Sequence, residues 1–151
     1  MDKNREAAGH EYFSQLYGAI SSQGEPQQTM FDKWRDKILV STYAKYSTNE
    51  LSQSDVLDVG CGYGWLLDAF EGARTLCGVD IAHHAVEVAA GRKPERSFKQ
   101  GDLHDISPFS QKFDLILAIN IVEHLSNPKA GIQSISRSAK PGAIVLVHMP
   151  F

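Results

Sequence analysis

Short apolar runs alternate with helix-spaced segments along most of the chain. A polar stretch over 47–54, Ser-Thr-Asn-Glu-Leu-Ser-Gln-Ser, separates them from what comes before. Before that stretch, Tyr12, Phe13, Leu16, Tyr17 and Ile20 recur at helical spacing, and Gly24-Glu25-Pro26 then breaks the chain. A second amphipathic helix is predicted with Phe31, Trp34 and Ile38 on one face and Lys33, Arg35, Asp36 and Lys37 largely outside it. Neither helix can bury its aromatics alone, so both are expected to pack on something, and 1–48 is read as a helical lid segment. After the boundary, five strands are predicted: Asp55-Val56-Leu57-Asp58-Val59, Thr75-Leu76-Cys77-Gly78-Val79, a weaker Ser97-Phe98-Lys99-Gln100, Phe113 to Ile119, and Ala143 to His148. Between them lie the segment Trp65 to Phe70, a helix with Ile81, Ala85, Val88 and Ala89 inward, and a helix through Ile132 and Ile135. Asn127 before Pro128 serves as cap and first position of that last helix, and Lys140-Pro141-Gly142 turns the chain into the fifth strand. Repeated strand–helix units with apolar strands predict an α/β fold, a parallel sheet with helices on both faces over 52–151, in one domain.

Composition agrees with a globular chain: 151 residues, 42% hydrophobic and 22% charged. A net charge of -3 gives no electrostatic reason to expect nucleic acid as a partner. The polar N-terminus lacks an apolar signal core, and no apolar run approaches a membrane span, so a cytoplasmic location without membrane association is expected. Cys61 and Cys77 are read as reduced, mostly buried thiols. The scattered histidines form no zinc-type pair, and no metal is expected.

The candidate chemistry sits where the first strand ends. Gly60, Gly62 and Gly64 are spaced two apart, and glycine suits a tight turn, a positive φ or close approach to a ligand. In an open parallel sheet, ligands bind at the carboxyl ends of the strands. A dinucleotide fingerprint would place its third glycine three residues after Gly62, where this chain has Trp65, so the pyrophosphate reading loses its main support. Asp80 ends the second strand, where a carboxylate can accept from ribose hydroxyls, and Gly101-Asp102-Leu103 puts another acid at the same edge after the third. Each acid alone is an ordinary loop residue. Together they line one crevice.

In this order, Val56-Leu57-Asp58-Val59-Gly60-Cys61-Gly62-Tyr63-Gly64, Gly78-Val79-Asp80, Gly101-Asp102 and Phe113-Asp114-Leu115-Ile116 followed by Glu123-His124-Leu125 resemble class I S-adenosylmethionine-dependent methyltransferases. The resemblance covers the chain from about Asp55 to Met149. It implies a Rossmann-like sheet of order 3-2-1-4-5 and S-adenosyl-L-methionine as cofactor. The loop Gly60, Cys61, Gly62 and Gly64 would carry its methionine half with Asp58 as a supporting acid. Asp80 would hold the ribose and Ile81 pack on adenine. Asp102 would accept from the adenine amino group beside Leu103, and Asn120 would approach the methionine end.

Methyl transfer is an in-line displacement in which positioning supplies much of the rate. A hydroxyl acceptor also needs a base, and His124 is the candidate, with a merely structural role in a short helix as its alternative. Some relatives bind a divalent metal through a Glu-x-x-Glu-His segment; here the first position is Asn120, a poorer ligand for a hard cation. His148 ends the fifth strand within reach of the cleft. The Glu123-His124-Leu125 form most resembles enzymes methylating a small-molecule acceptor. The alternatives are a cofactor-binding but catalytically incomplete module and, more distantly, a nicotinamide-dependent enzyme. Such methyltransferases usually add two strands beyond the fifth. The chain therefore is a fragment, pairs through that open edge as a homodimer, or covers the edge with its N-terminal helices.

Overall fold

A computed structural model describes residues 28–104, 106 and 109–149. The predicted helix over Tyr12 to Ile20 lies outside these residues. Five strands, β1 Asp55–Val59, β2 Thr75–Asp80, β3 Ser97–Gln100, β4 Phe113–Ile119 and β5 Ala139–His148, form one parallel sheet of order β3-β2-β1-β4-β5. β1 is buried throughout and β4 nearly so, which is why both read as short apolar runs, interrupted by Asp55 and Asp58 in β1 and by Asp114 in β4. One core cluster joins Leu57, Val59, Val79, Phe113, Ile116 and Ile135; the other, across the sheet, joins Val56, Leu66, Phe70, Leu115 and Leu117. No helix among the described residues is long and apolar enough to cross a membrane.

Among the described residues three α-helices flank the sheet: α1 Met30–Tyr46, α2 His83–Arg92 and α3 Pro128–Ser138. Thr29 caps α1 through a reciprocal box with Asp32. Asn127 caps α3 by accepting from the Ala130 N–H, with Pro128 in its first turn, as the sequence predicts.

Several local expectations need correction. α1 buries Asp36, Leu39 and Tyr43, whereas Phe31 and Trp34 are each 60% exposed and Ile38 42%. Polar bonds choose that face: Gln28 and Arg35 both donate to Asp36, and Tyr43 Oη shares a 2.6 Å hydrogen bond with Ser54 Oγ. The segment after the glycine loop is only a 3-10 turn, Leu66–Phe70, whose Leu66, Leu67 and Phe70 still enter the core. In α2 the inward residues are Ala85, Val86 and Ala89, while Ile81 precedes the helix and is exposed. Ile132 of α3 is also exposed, leaving Ile135 as its core residue. Lys140-Pro141-Gly142 is an irregularity inside β5, where the register jumps from Phe113↔Ala139 to Leu115↔Ile144.

Candidate functional site

At the carboxyl end of β1 the chain turns through Gly60, Gly62 and Gly64, with φ of 75°, 51° and 75°. Side chains favour glycine there by packing as well as by conformation. A Cβ on Gly60 would stand 2.7 Å from Ile121 Cγ1, and one on Gly64 2.7 Å from Phe98 Cζ. The loop hangs from the end of β2: the Gly60 and Cys61 N–H groups both donate to Val79 O, at 2.8 and 3.1 Å.

Asp80 completes that attachment. Its buried carboxylate accepts from Gly62 N–H at 2.8 Å and from Ala82 N–H at 2.9 Å. Burial still pushes its pKa up, against the opposing pull of those N–H groups. Asp58 lies beneath the loop, 3% exposed, with no hydrogen bond to its carboxylate among the described residues. Burial, and secondarily the charge of Asp80, raise its pKa well above the usual carboxylate range. The site is therefore lined by acid and is unsuited to a pyrophosphate. It suits a ligand that brings positive charge and hydroxyl donors.

The other sequence-predicted residues divide between cleft and core. The Cys61 side chain turns inward against Gly78, leaving only its backbone toward the loop, and burial raises its thiol pKa. Leu103 is buried in the core. Asp102 follows β3 and accepts from its neighbour His104, at 2.9 Å from the backbone N–H and 2.6 Å from Nδ1. Ile81 stays 47% exposed beside Asp80. Asn120 stands just past β4 with φ 53°, its N–H donating to His148 O at 2.8 Å. His124 closes the 3-10 turn Val122–His124 and is exposed, four residues beyond Asn120.

Two contributors escape sequence reasoning. Ile121 packs over Gly60, and Phe98 of β3 fills the space under Gly64 and Gly78. Their only sequence signal is an apolar residue at a strand end and one within a weak strand. A cavity of ≈ 420 Å³ lies elsewhere, near the amino ends of β2 and β3. Its cations are already engaged: Arg74 with Asp55, Arg96 with Asp68 and Glu71, and Lys99 over the Phe109 ring. Among the described residues no group of three or more His, Cys, Asp or Glu is placed to hold a metal ion.

A family model described as a methyltransferase domain matches residues 30–151. The ubiquinone biosynthesis O-methyltransferase of Actinobacillus pleuropneumoniae serotype 5b is 31% identical over 113 residues, covering 68% of this chain and 48% of that protein. The chain thus spans about half the length of the curated relatives it matches. Among solved structures, an S-adenosylmethionine-dependent methyltransferase from Clostridium acetobutylicum superposes with a TM-score of 0.71 over 91% of this chain and 56% of its own, at 18% identity, a likeness of fold. The [4+2]-cyclase SpnF is 27% identical, with a TM-score of 0.63, over 74% of this chain and 43% of its own.

Proposed function

Because the chain belongs to the methyltransferase domain family, we propose that it binds S-adenosyl-L-methionine and supports methyl transfer to a small-molecule acceptor. The observation that carries this reading is the acid-lined glycine loop: Asp80 pinning Gly62, with Asp58 buried beneath it and, among the described residues, without a hydrogen bond. S-adenosylmethionine brings an ammonium and a sulfonium to such a site, and ribose hydroxyls to its edge. In this reading Asp80 takes the ribose, Ile81 packs on the adenine and Asp102 accepts from its amino group. The Gly60 to Gly64 backbone lies along the methionine half, with Asn120 at its far end. The cofactor supplies an activated methyl group. The chain's own work is to orient it, shield it and accept a proton from the acceptor. Two imidazoles stand on that side of the sheet, His124, the candidate base of the sequence pattern, and His148. The similarity to ubiquinone O-methyltransferases favours a hydroxyl-bearing small molecule as acceptor.

Calorimetry with S-adenosylhomocysteine and with NAD tests the cofactor. S-adenosylhomocysteine should bind and NAD should not; the reverse result sinks the reading. Asp80→Ala should weaken S-adenosylhomocysteine at least tenfold, because it removes the ribose acceptor and frees the Gly62 N–H together. Unchanged affinity would refute the assignment of Asp80.

A second reading is favoured by the likeness to a protein described as a cyclase. Here the chain binds the cofactor without transferring its methyl group and acts as a partner or regulatory module. Transfer from radiolabelled S-adenosylmethionine to a panel of phenols, amines and carboxylates separates the two. Tight cofactor binding with no methylated product selects the second.

A further inference from the structure

The strand order lays the candidate site out in a line. Asp80 and Asp102, which the proposed reading assigns to ribose and adenine, stand at or just beyond the carboxyl ends of β2 and β3, and the glycine loop stands over β1. On the opposite flank, over β4 and β5, stand Asn120 and His148, which a dense set of bonds ties into one unit. Ile119 pairs in register with His148. The Asn120 N–H donates to His148 O at 2.8 Å, and His148 Nδ1 and Asn120 Oδ1 share a hydrogen bond at 2.7 Å. Asn120 holds a left-handed φ of 53°, a conformation that Asn tolerates better than most side chains. Its neighbour Ile121 is seated over Gly60, so the unit abuts the glycine loop directly.

We propose that His148 is the proton acceptor for methyl transfer and that Asn120 is the positioning residue that fixes its tautomer; this rests on the methyl-transfer reading above. An amide oxygen only accepts, so the bond to Asn120 Oδ1 requires the proton on Nδ1 and leaves the Nε2 lone pair available. His124, by contrast, is exposed at the end of a turn. In the step, the acceptor's X–H oxygen or nitrogen bonds to the methyl carbon as the carbon–sulfur bond breaks, and that electron pair stays on sulfur. The X–H proton passes to His148 Nε2. One positive charge leaves the sulfonium and one appears on the imidazolium, which then releases its proton to water.

The test uses the full chain, with catechol as the acceptor probe and two independent readouts. Long-range proton–nitrogen correlation NMR should find His148 protonated at Nδ1. Asn120→Gly, which keeps the left-handed backbone, should abolish that preference, and Asn120→Asp should restore it. Protonation at Nε2, or no response to Asn120→Gly, overturns the orienting role. In turnover, His148→Gln should lower kcat about 100-fold while S-adenosylhomocysteine affinity changes less than twofold. Added imidazole should restore part of the rate to His148→Gly. Full turnover in His148→Gln, or a larger loss in His124→Gln, overturns the assignment of His148 alone. A wild-type chain that binds S-adenosylhomocysteine yet methylates no acceptor overturns the transfer reading and the role of His148 with it.

Discussion

A carboxylate buried without a hydrogen bond among the described residues, as Asp58 is, has two ways to lower its energy: keep its proton or acquire a cation. Without ligand it takes the first, and its pKa is raised mainly by burial. The sign of the stability effect follows. In the unfolded chain Asp58 ionises near the ordinary value of about 3.9, but in the fold it holds its proton well above that. Stability contributed by the protonated form is complete below the ordinary value and is lost as pH rises toward the raised one. Asp58→Asn removes this liability and should raise Tm at pH 7 by about 2–4 °C, the shift expected of roughly 1 kcal/mol at this chain length. Ligand binding runs the other way. A cation beside Asp58 favours its ionised form, so S-adenosylhomocysteine should bind more tightly as pH rises through that window. Asp58→Asn should flatten this dependence and cost about tenfold in affinity at pH 8. Calorimetry across pH 5 to 8 decides it, and a parallel pH dependence in both proteins would remove Asp58 from the site.

The strands are clamped together at their amino ends by a charge cluster remote from the glycine loop. Asp55 of β1 accepts from Arg74 Nε at 2.9 Å, from Arg74 Nη2, from Thr75 Oγ1 at 2.9 Å and from Lys140 Nζ at 2.8 Å. Lys140 also reaches Asp114 Oδ2 at 2.7 Å, and the Asp55 N–H donates to that same oxygen at 2.8 Å. Four strands thus share one network. Arg74 foremost, then Lys140 and Thr75, hold the Asp55 carboxyl well below the usual range despite the opposing effect of burial. Its stabilisation is present above the unfolded value of about 3.9 and is lost as pH falls toward the depressed one. Asp55→Ala should cost about 1–3 kcal/mol at pH 7, and the deficit should shrink in urea titrations as pH drops below 4. A deficit independent of pH would mean that packing, not charge, is what Asp55 supplies. Two strands of this clamp, β1 and β4, were legible in the sequence because burial on both faces writes a largely apolar run. The inward face of α1 was not, because apolar spacing cannot anticipate that Asp36 is buried by bonds to Gln28 and Arg35. At the site, the glycines, Asp58 and Asp80 were legible, since the fold fixes what stands at a strand end. The inward turn of Cys61 and the Asn120–His148 pair were not. The latter joins residues 28 apart and depends on the register of β4 against β5.

Across the whole molecule, two strands flank β1 on each side, and β3 and β5 are the edge strands of the described sheet. β5 pairs with β4 along one edge, and among the described residues nothing pairs with the other. α1 answers only part of the sequence-based expectation that helices cover this region. The core cluster of its Leu39 and Tyr43 includes Ile144 and Leu146, which covers one face of β5 and not its edge. On the alternate positions Val145 and Val147 are 39% and 52% exposed, and Met149 just beyond them 47%. From Ala143 to Val147 the strand carries no charge and no proline, the two devices by which soluble proteins blunt an edge. A strand of this kind templates pairing with another, and a second copy of the same strand can join it about a two-fold axis that makes both contacts equivalent. The 151-residue chain should therefore self-associate at micromolar concentration in sedimentation velocity. Val145→Lys combined with Val147→Lys should return it to monomer, because like charges would then face each other across the joint. S-adenosylhomocysteine affinity should survive the double substitution, since neither side chain belongs to the acid-lined loop. A wild-type chain that stays monomeric at tens of micromolar would show that this edge does not recruit a second copy.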